Sequence, residues 1–150
     1  SKNLYRLLNV LSANQANGQR RFLRAMCGES FKANLVYRGK GYRCLLRDIS
    51  ITHFSCIFDG EVPEIPLHEK LREIQMNLRG VLIKVDAVLC LKRVLAEELI
   101  HVFVFRTSDD REGMNPDQVI KVNNIVHASL TEKITGILKN AFEDSRKEDR

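Results

Sequence analysis

An antiparallel β-barrel closed by a C-terminal helix is the fold that this sequence of 150 residues predicts. Three observations carry the prediction. Short runs of alternating apolar and polar residues follow one another from Phe31 to Phe105 with no helical stretch between them. Turn formers, among them Gly39, Gly41, Gly60, Pro63, Pro66 and Gly80, separate those runs. Apolar residues then recur from Val119 to Phe142 at helical spacing. A doubly wound sheet would need helices between its strands, so a barrel or a sandwich remains, and the barrel is preferred.

The elements follow in order. Residues 2–12 read as a short helix with Leu4, Leu7, Leu8 and Leu11 along one face, and Asn14 to Gln19 read as a linker without period. The first strand starts at Phe31, where Phe31, Ala33, Leu35 and Tyr37 share a side, and Gly39, Lys40 and Gly41 supply a hairpin turn. A second strand runs from Tyr42 to about Ile49 and a third from Phe54 to Phe58. Leu71 to Leu78 fits either a helix or a strand. Arg79 and Gly80 turn the chain into the cleanest strand, in which every odd position from Val81 to Leu91 is apolar. Leu99 to Phe105 is the last. Asn115 can cap a helix with Pro116 at its first position and Asp117 in its first turn, and the stripe leaves room for a break near Ser129. The organisation is therefore an N-terminal helix and linker over 1–18, a barrel with its helix over 19–142, and a charged, frayed tail over 143–150.

Composition excludes several classes. Hydrophobic residues make up 44% and charged residues 29%, which fits a globular chain and not a disordered one. No apolar run approaches the ~18 residues of a membrane span, and a secretory leader is not expected from the residues ahead of the first strand. The start at Ser1 leads us to expect an excised piece of a longer protein. The 24 basic against 19 acidic residues, net +5, mildly favour an anionic partner. Cys27, Cys44, Cys56 and Cys90 form no CxxC pair, and His53, His68, His101 and His127 stand singly, so a reducing cytoplasm is expected and a disulfide or metal is not. Each histidine is expected at the surface or as a satisfied core residue. No nucleophile elbow, P-loop, GxGxxG or HExxH is present, and Glu97 and Glu98 read as solvated turn residues, which argues against an enzyme.

Two segments carry recognition chemistry. Arg20, Arg21 and Arg24 lie just ahead of the first strand, where guanidinium forks can hold a phosphate or a guanine edge bidentately. Asp48 and Ser50 end the second strand. The carboxylate can accept two parallel bonds from a guanine and the hydroxyl can donate to a phosphate, although both residue types also cap turns.

Together, RxxxR at Arg20 to Arg24 and DxSxx at Asp48 to Thr52 resemble the motifs of the PilZ domain family, and the resemblance covers roughly residues 19–140. It implies a six-stranded barrel that binds the bacterial second messenger cyclic di-GMP without cofactor or catalysis. Arg20 and Arg24 would clamp phosphate and guanine, Asp48 would read a guanine edge, Ser50 would contact phosphate, and Arg21 would assist. Binding would be transmitted to a protein partner or adjoining domain, in processes such as motility, with no DNA or RNA involved. The departure is His53, where the family has glycine. If that position needs positive φ, a histidine costs about 1 kcal/mol or more, so His53→Gly is expected to bind equally or better. The alternative is an imidazole that stacks on a guanine. Two other classes compete: a PilZ-like barrel that has become a protein-interaction module without nucleotide, and a barrel binding single-stranded nucleic acid, which the 7% aromatic content disfavours.

Overall fold

The structure, a computed structural model, describes residues 25–148; the expected helix over 2–12, the linker and Arg20, Arg21 and Arg24 lie outside the described residues. The described residues form seven strands and one helix: β1 Ala25–Met26, β2 Phe31–Tyr37, β3 Lys40–Ile49, β4 His53–Phe58, β5 Lys70–Leu78, β6 Val81–Leu95, β7 Glu98–Arg106 and α1 Pro116–Glu148. All these strand pairs are antiparallel. The order β3-β2-β5-β6-β7-β4 closes on itself through a β3–β4 pairing, which makes the predicted six-stranded barrel. The two-residue β1 pairs with β3 near its C-terminal end.

Three two-residue turns set the register. Arg38–Gly39, Arg79–Gly80 and Ala96–Glu97 all have both residues at positive φ, the backbone twist that matches antiparallel strands. The first turn thus sits earlier than the expected Gly39 to Gly41, and Gly41 lies within β3 opposite Val36. Leu71 to Leu78, which fitted either period, is strand, because Leu71, Ile74, Met76 and Leu78 point into the core while Arg72, Glu73, Gln75 and Asn77 stay exposed. A bulge between Leu71 and Ile74 breaks the strict alternation that would have identified it.

Phe54, Phe103 and Phe105 fill the barrel, with the ring centroid of Phe54 5.0 Å from that of Phe103 and 5.3 Å from that of Phe105. Cys44 and Cys56 are free, fully buried core thiols. The hydrogen bond that the Cys56 S–H donates to Cys44, together with burial, raises the Cys56 thiol far above its ordinary range.

The helix starts as the sequence predicts. Pro116 opens it, Asp117 sits in the first turn, and the Gln118 side chain accepts from the Asn115 N–H at 3.2 Å, one half of a capping box. Val122, Ile125 and Val126 join the core, and Val119 and Leu130 pack against it. No break occurs at Ser129, whose hydroxyl accepts from Arg79 Nη1 at 3.4 Å while Arg79 Nη2 pairs with Glu132 at 2.6 Å. The helix continues through Glu148, past the Phe142 at which the apolar stripe ends.

Candidate functional site

The corner where β3 passes into β4 departs from simple alternation. Cys44 and Leu46 point inward, but the register shifts between Leu46 and Asp48, so the next inward residue is Ile49. Arg47 is the extra residue, and the bulge places Asp48 opposite Ser55 on the outer side of the barrel wall. Both are nonetheless buried. A buried carboxylate is tolerable only when hydrogen bonded. Here Ser55 Oγ donates to Asp48 Oδ1 at 2.6 Å.

Cys27 lies against the same carboxylate. Burial first, and the Asp48 charge second, raise its thiol far above the ordinary range, so it stays protonated and unreactive. The backbone around it is tied down as well: Cys27 N–H donates to Arg47 O at 2.7 Å, and β1 pairs Ala25 with Ile49 and Met26 with Asp48. The residue that follows Arg24 in the chain is therefore registered beside the Asp48–Ser50 segment.

Ser50 begins the three-residue connection. Its N–H donates to His53 O at 2.9 Å, and its Oγ accepts from the N–H groups of Thr52 and His53 at 3.2 and 3.3 Å. The same Oγ lies 3.0 Å from Thr52 Oγ1, which lies 2.9 Å from His53 Nδ1. Ser50 is thus almost wholly buried and does cap its own turn. His53 opens β4 in extended backbone, not among the positive-φ residues. The strain expected of a non-glycine residue at this position is absent, because the bond from Ser50 N–H to His53 O closes the turn without a left-handed residue.

The structure joins Ser50 and His53 by hydrogen bonds in one turn and holds Asp48, two residues before Ser50, on Ser55. Arg20, Arg21 and Arg24 lie outside the described residues. Sequence reasoning missed Thr52 and Ser55. Thr52 stood inside the motif as an unspecified position, and Ser55 is identified only by the register across β3–β4. Among the described residues, no group of His, Cys, Asp and Glu is arranged to hold a metal ion, and no helix is long and apolar enough to cross a membrane.

Of the other histidines, His68 and His127 are exposed. His101 is a core residue but not a satisfied one. It sits on β7 with its ring 4.8 Å from Phe58, and neither ring nitrogen has a hydrogen-bond partner among the described residues. Burial, with Lys92 opposite, lowers its pKa to about 4 and keeps it neutral.

No protein-family model matches this sequence, and no curated protein matches it either. Solved structures do. YcgR from Escherichia coli in complex with c-di-GMP superposes with a TM-score of 0.61 at 14% identity, over 88% of this chain and 51% of that one. The PilZ domain of YcgR with c-di-GMP gives 0.57 at 16% identity, over 86% of this chain and 98% of that one. The c-di-GMP complex of MrkH from K. pneumonia gives 0.61 at 16%, over 86% and 55%. The chain thus spans about half the length of the YcgR and MrkH chains and nearly all of the isolated domain. The barrel of this chain, closed by the β3–β4 pairing and extended by α1, is the PilZ-domain fold.

Proposed function

We propose that this chain is a receptor module for cyclic di-GMP and performs no chemistry of its own. The observation that carries the reading is the β1 register. Ala25, the residue that follows Arg24 in the sequence, pairs with Ile49 between Asp48 and Ser50, although the whole β2–β3 hairpin lies between them in the chain. In this reading Arg20 and Arg24 grip phosphate and guanine, with Arg21 assisting. Asp48 accepts from a guanine, and Ser50 donates its hydroxyl proton to a phosphate oxygen. The solved PilZ structures of the same fold hold c-di-GMP, which supports the assignment by analogy of fold.

A receptor must pass its signal on. The RxxxR segment follows the Leu4–Leu11 face and linker, so ordering of the arginines around the ligand would redirect that N-terminal segment toward a protein partner or adjoining domain. Cytoplasmic location and a role in processes such as motility belong to this same proposal. The solved neighbours include the Bacillus subtilis inhibitor of motility MotI/DgrA.

The test is a calorimetric titration of the 150-residue chain with cyclic di-GMP, with GTP and cyclic di-AMP as controls and Arg20→Ala alongside. Selective micromolar or tighter binding that the substitution weakens supports the receptor. A flat trace from folded protein rejects it in favour of a protein-interaction module.

A further inference from the structure

We propose that His53 is a positioning residue that, through its Nδ1, holds the Thr52 hydroxyl and so sets the Ser50 hydroxyl for an anionic ligand. The proposal rests on the cyclic di-GMP reading of the same corner and deepens it. It replaces the view of His53 as a defect in a glycine position.

Proton accounting at the corner supports it. A hydroxyl has one proton and two lone pairs. Both lone pairs of Ser50 Oγ face backbone donors, the N–H groups of Thr52 and His53 at 3.2 and 3.3 Å. Its proton is left to donate, and of the three acceptors in reach Thr52 Oγ1 at 3.0 Å is nearer than His53 O and His53 Nδ1, both at 3.4 Å. Thr52 Oγ1 accepts that proton most simply if its own proton points elsewhere, and His53 Nδ1 at 2.9 Å is the acceptor in place. Nδ1 therefore accepts, which puts the ring proton on Nε2. The chain of bonds runs from Ser50 to Thr52 to His53. When a phosphate oxygen arrives, the Ser50 proton turns to it while Thr52 stays held by the imidazole.

A glycine at this position would leave the Thr52 hydroxyl without its 2.9 Å acceptor and free to swing away from Ser50. The extended backbone of His53 requires no glycine. The imidazole thus fixes the Thr52 hydroxyl in one orientation and leaves the Ser50 proton as the donor that meets the ligand, which lowers the ordering cost of binding.

The test is a double-mutant cycle on cyclic di-GMP affinity, measured by calorimetry with the full 150-residue chain. His53→Ala and Thr52→Val should each weaken binding about 3- to 10-fold, the range of one neutral hydrogen bond. If His53 acts through Thr52, the double variant binds no more weakly than either single one. His53→Asn should return affinity to within about 3-fold of the parent, because its amide oxygen stands where Nδ1 stands, and His53→Gly should bind more weakly than the parent. Additive losses, or parental affinity in His53→Ala, overturn the proposal. Should His53→Ala unfold in a thermal melt, Thr52→Val reads the same hydroxyl, and parental affinity there overturns it as well. Arg20→Ala separates the two levels: a parent that binds and an Arg20→Ala that does not keep the receptor reading even where the His53 cycle fails. A parent that does not bind overturns both.

Discussion

Two places in this barrel bury polar side chains, and they treat them in opposite ways. At the β3–β4 corner Asp48, Ser50 and Ser55 are all buried, and each is hydrogen bonded. On β7, His101 is buried to the same degree and neither of its ring nitrogens has a partner among the described residues. A partnered polar group is costly to disturb, whereas an unpartnered one costs stability by being present. The corner therefore has the character of a site, and His101 that of a ring filling space between Phe58 and Phe103.

The largest expected effect is on ligand affinity at the corner. Asp48→Ala, like Arg20→Ala or Arg24→Ala, should weaken cyclic di-GMP binding about 10- to 150-fold, since a charge-assisted contact contributes roughly 1.5–3 kcal/mol. Circular dichroism should show the barrel intact. Binding that survives all three substitutions would remove the corner from the site. Ser55→Ala addresses the stability half of the contrast. It takes a donor from a buried carboxylate, and urea unfolding should report a loss of about 1–3 kcal/mol.

His101 should behave in the opposite sense, and pH shows it first. Its folded pKa, about 4, lies below the ordinary histidine value, so protons bind more readily to the unfolded chain. Its contribution to stability is complete above about pH 6.5 and declines as pH falls toward 4, by on the order of 2 kcal/mol. His101→Leu removes that decline and the two unpartnered nitrogens together. The variant should match or exceed the parent by about 1 kcal/mol at pH 7 and gain more at about pH 5. A variant less stable than the parent at the lower pH would mean that His101 has a polar role after all.

The same contrast governs what the sequence disclosed. The barrel body was legible because a strand with one face in the core repeats every two residues, as Phe31–Tyr37 and Val81–Leu89 do. Legibility stopped where a bulge breaks that period. Apolar residues at 44, 46 and then 49 hold the signal of the Arg47 bulge, but without the partner strand the extra residue could not be assigned. β1 is too short to have a period. The β6–β7 ribbon overran its expected end because Val94, Leu95 and Leu99, largely exposed, show no inward face. At the corner, Asp48 and Ser50 were identified by residue type and spacing. Ser55 and Thr52 were not, since their importance lies in what they touch. Whether position 53 needs positive φ stayed open in the sequence, because a motif position names a residue and not a dihedral angle; the backbone there is extended.

The smallest effect is expected where a surface side chain meets the helix at the break that the sequence predicts. Ser129 is a weak helix former, and the break expected beside it fails to appear. Arg79, at the β5–β6 turn, reaches both Ser129 and Glu132, but it does so at the surface. Exposed pairs contribute little because solvent screens them and long side chains lose freedom in forming them. Val122, Ile125 and Val126 hold the helix to the barrel whether or not Arg79 is present. Arg79→Ala should therefore leave helicity by circular dichroism unchanged and lower the melting temperature by about 2 °C or less. Loss of helicity in that variant would show that the ion pair, and not the apolar face, keeps α1 continuous through Ser129.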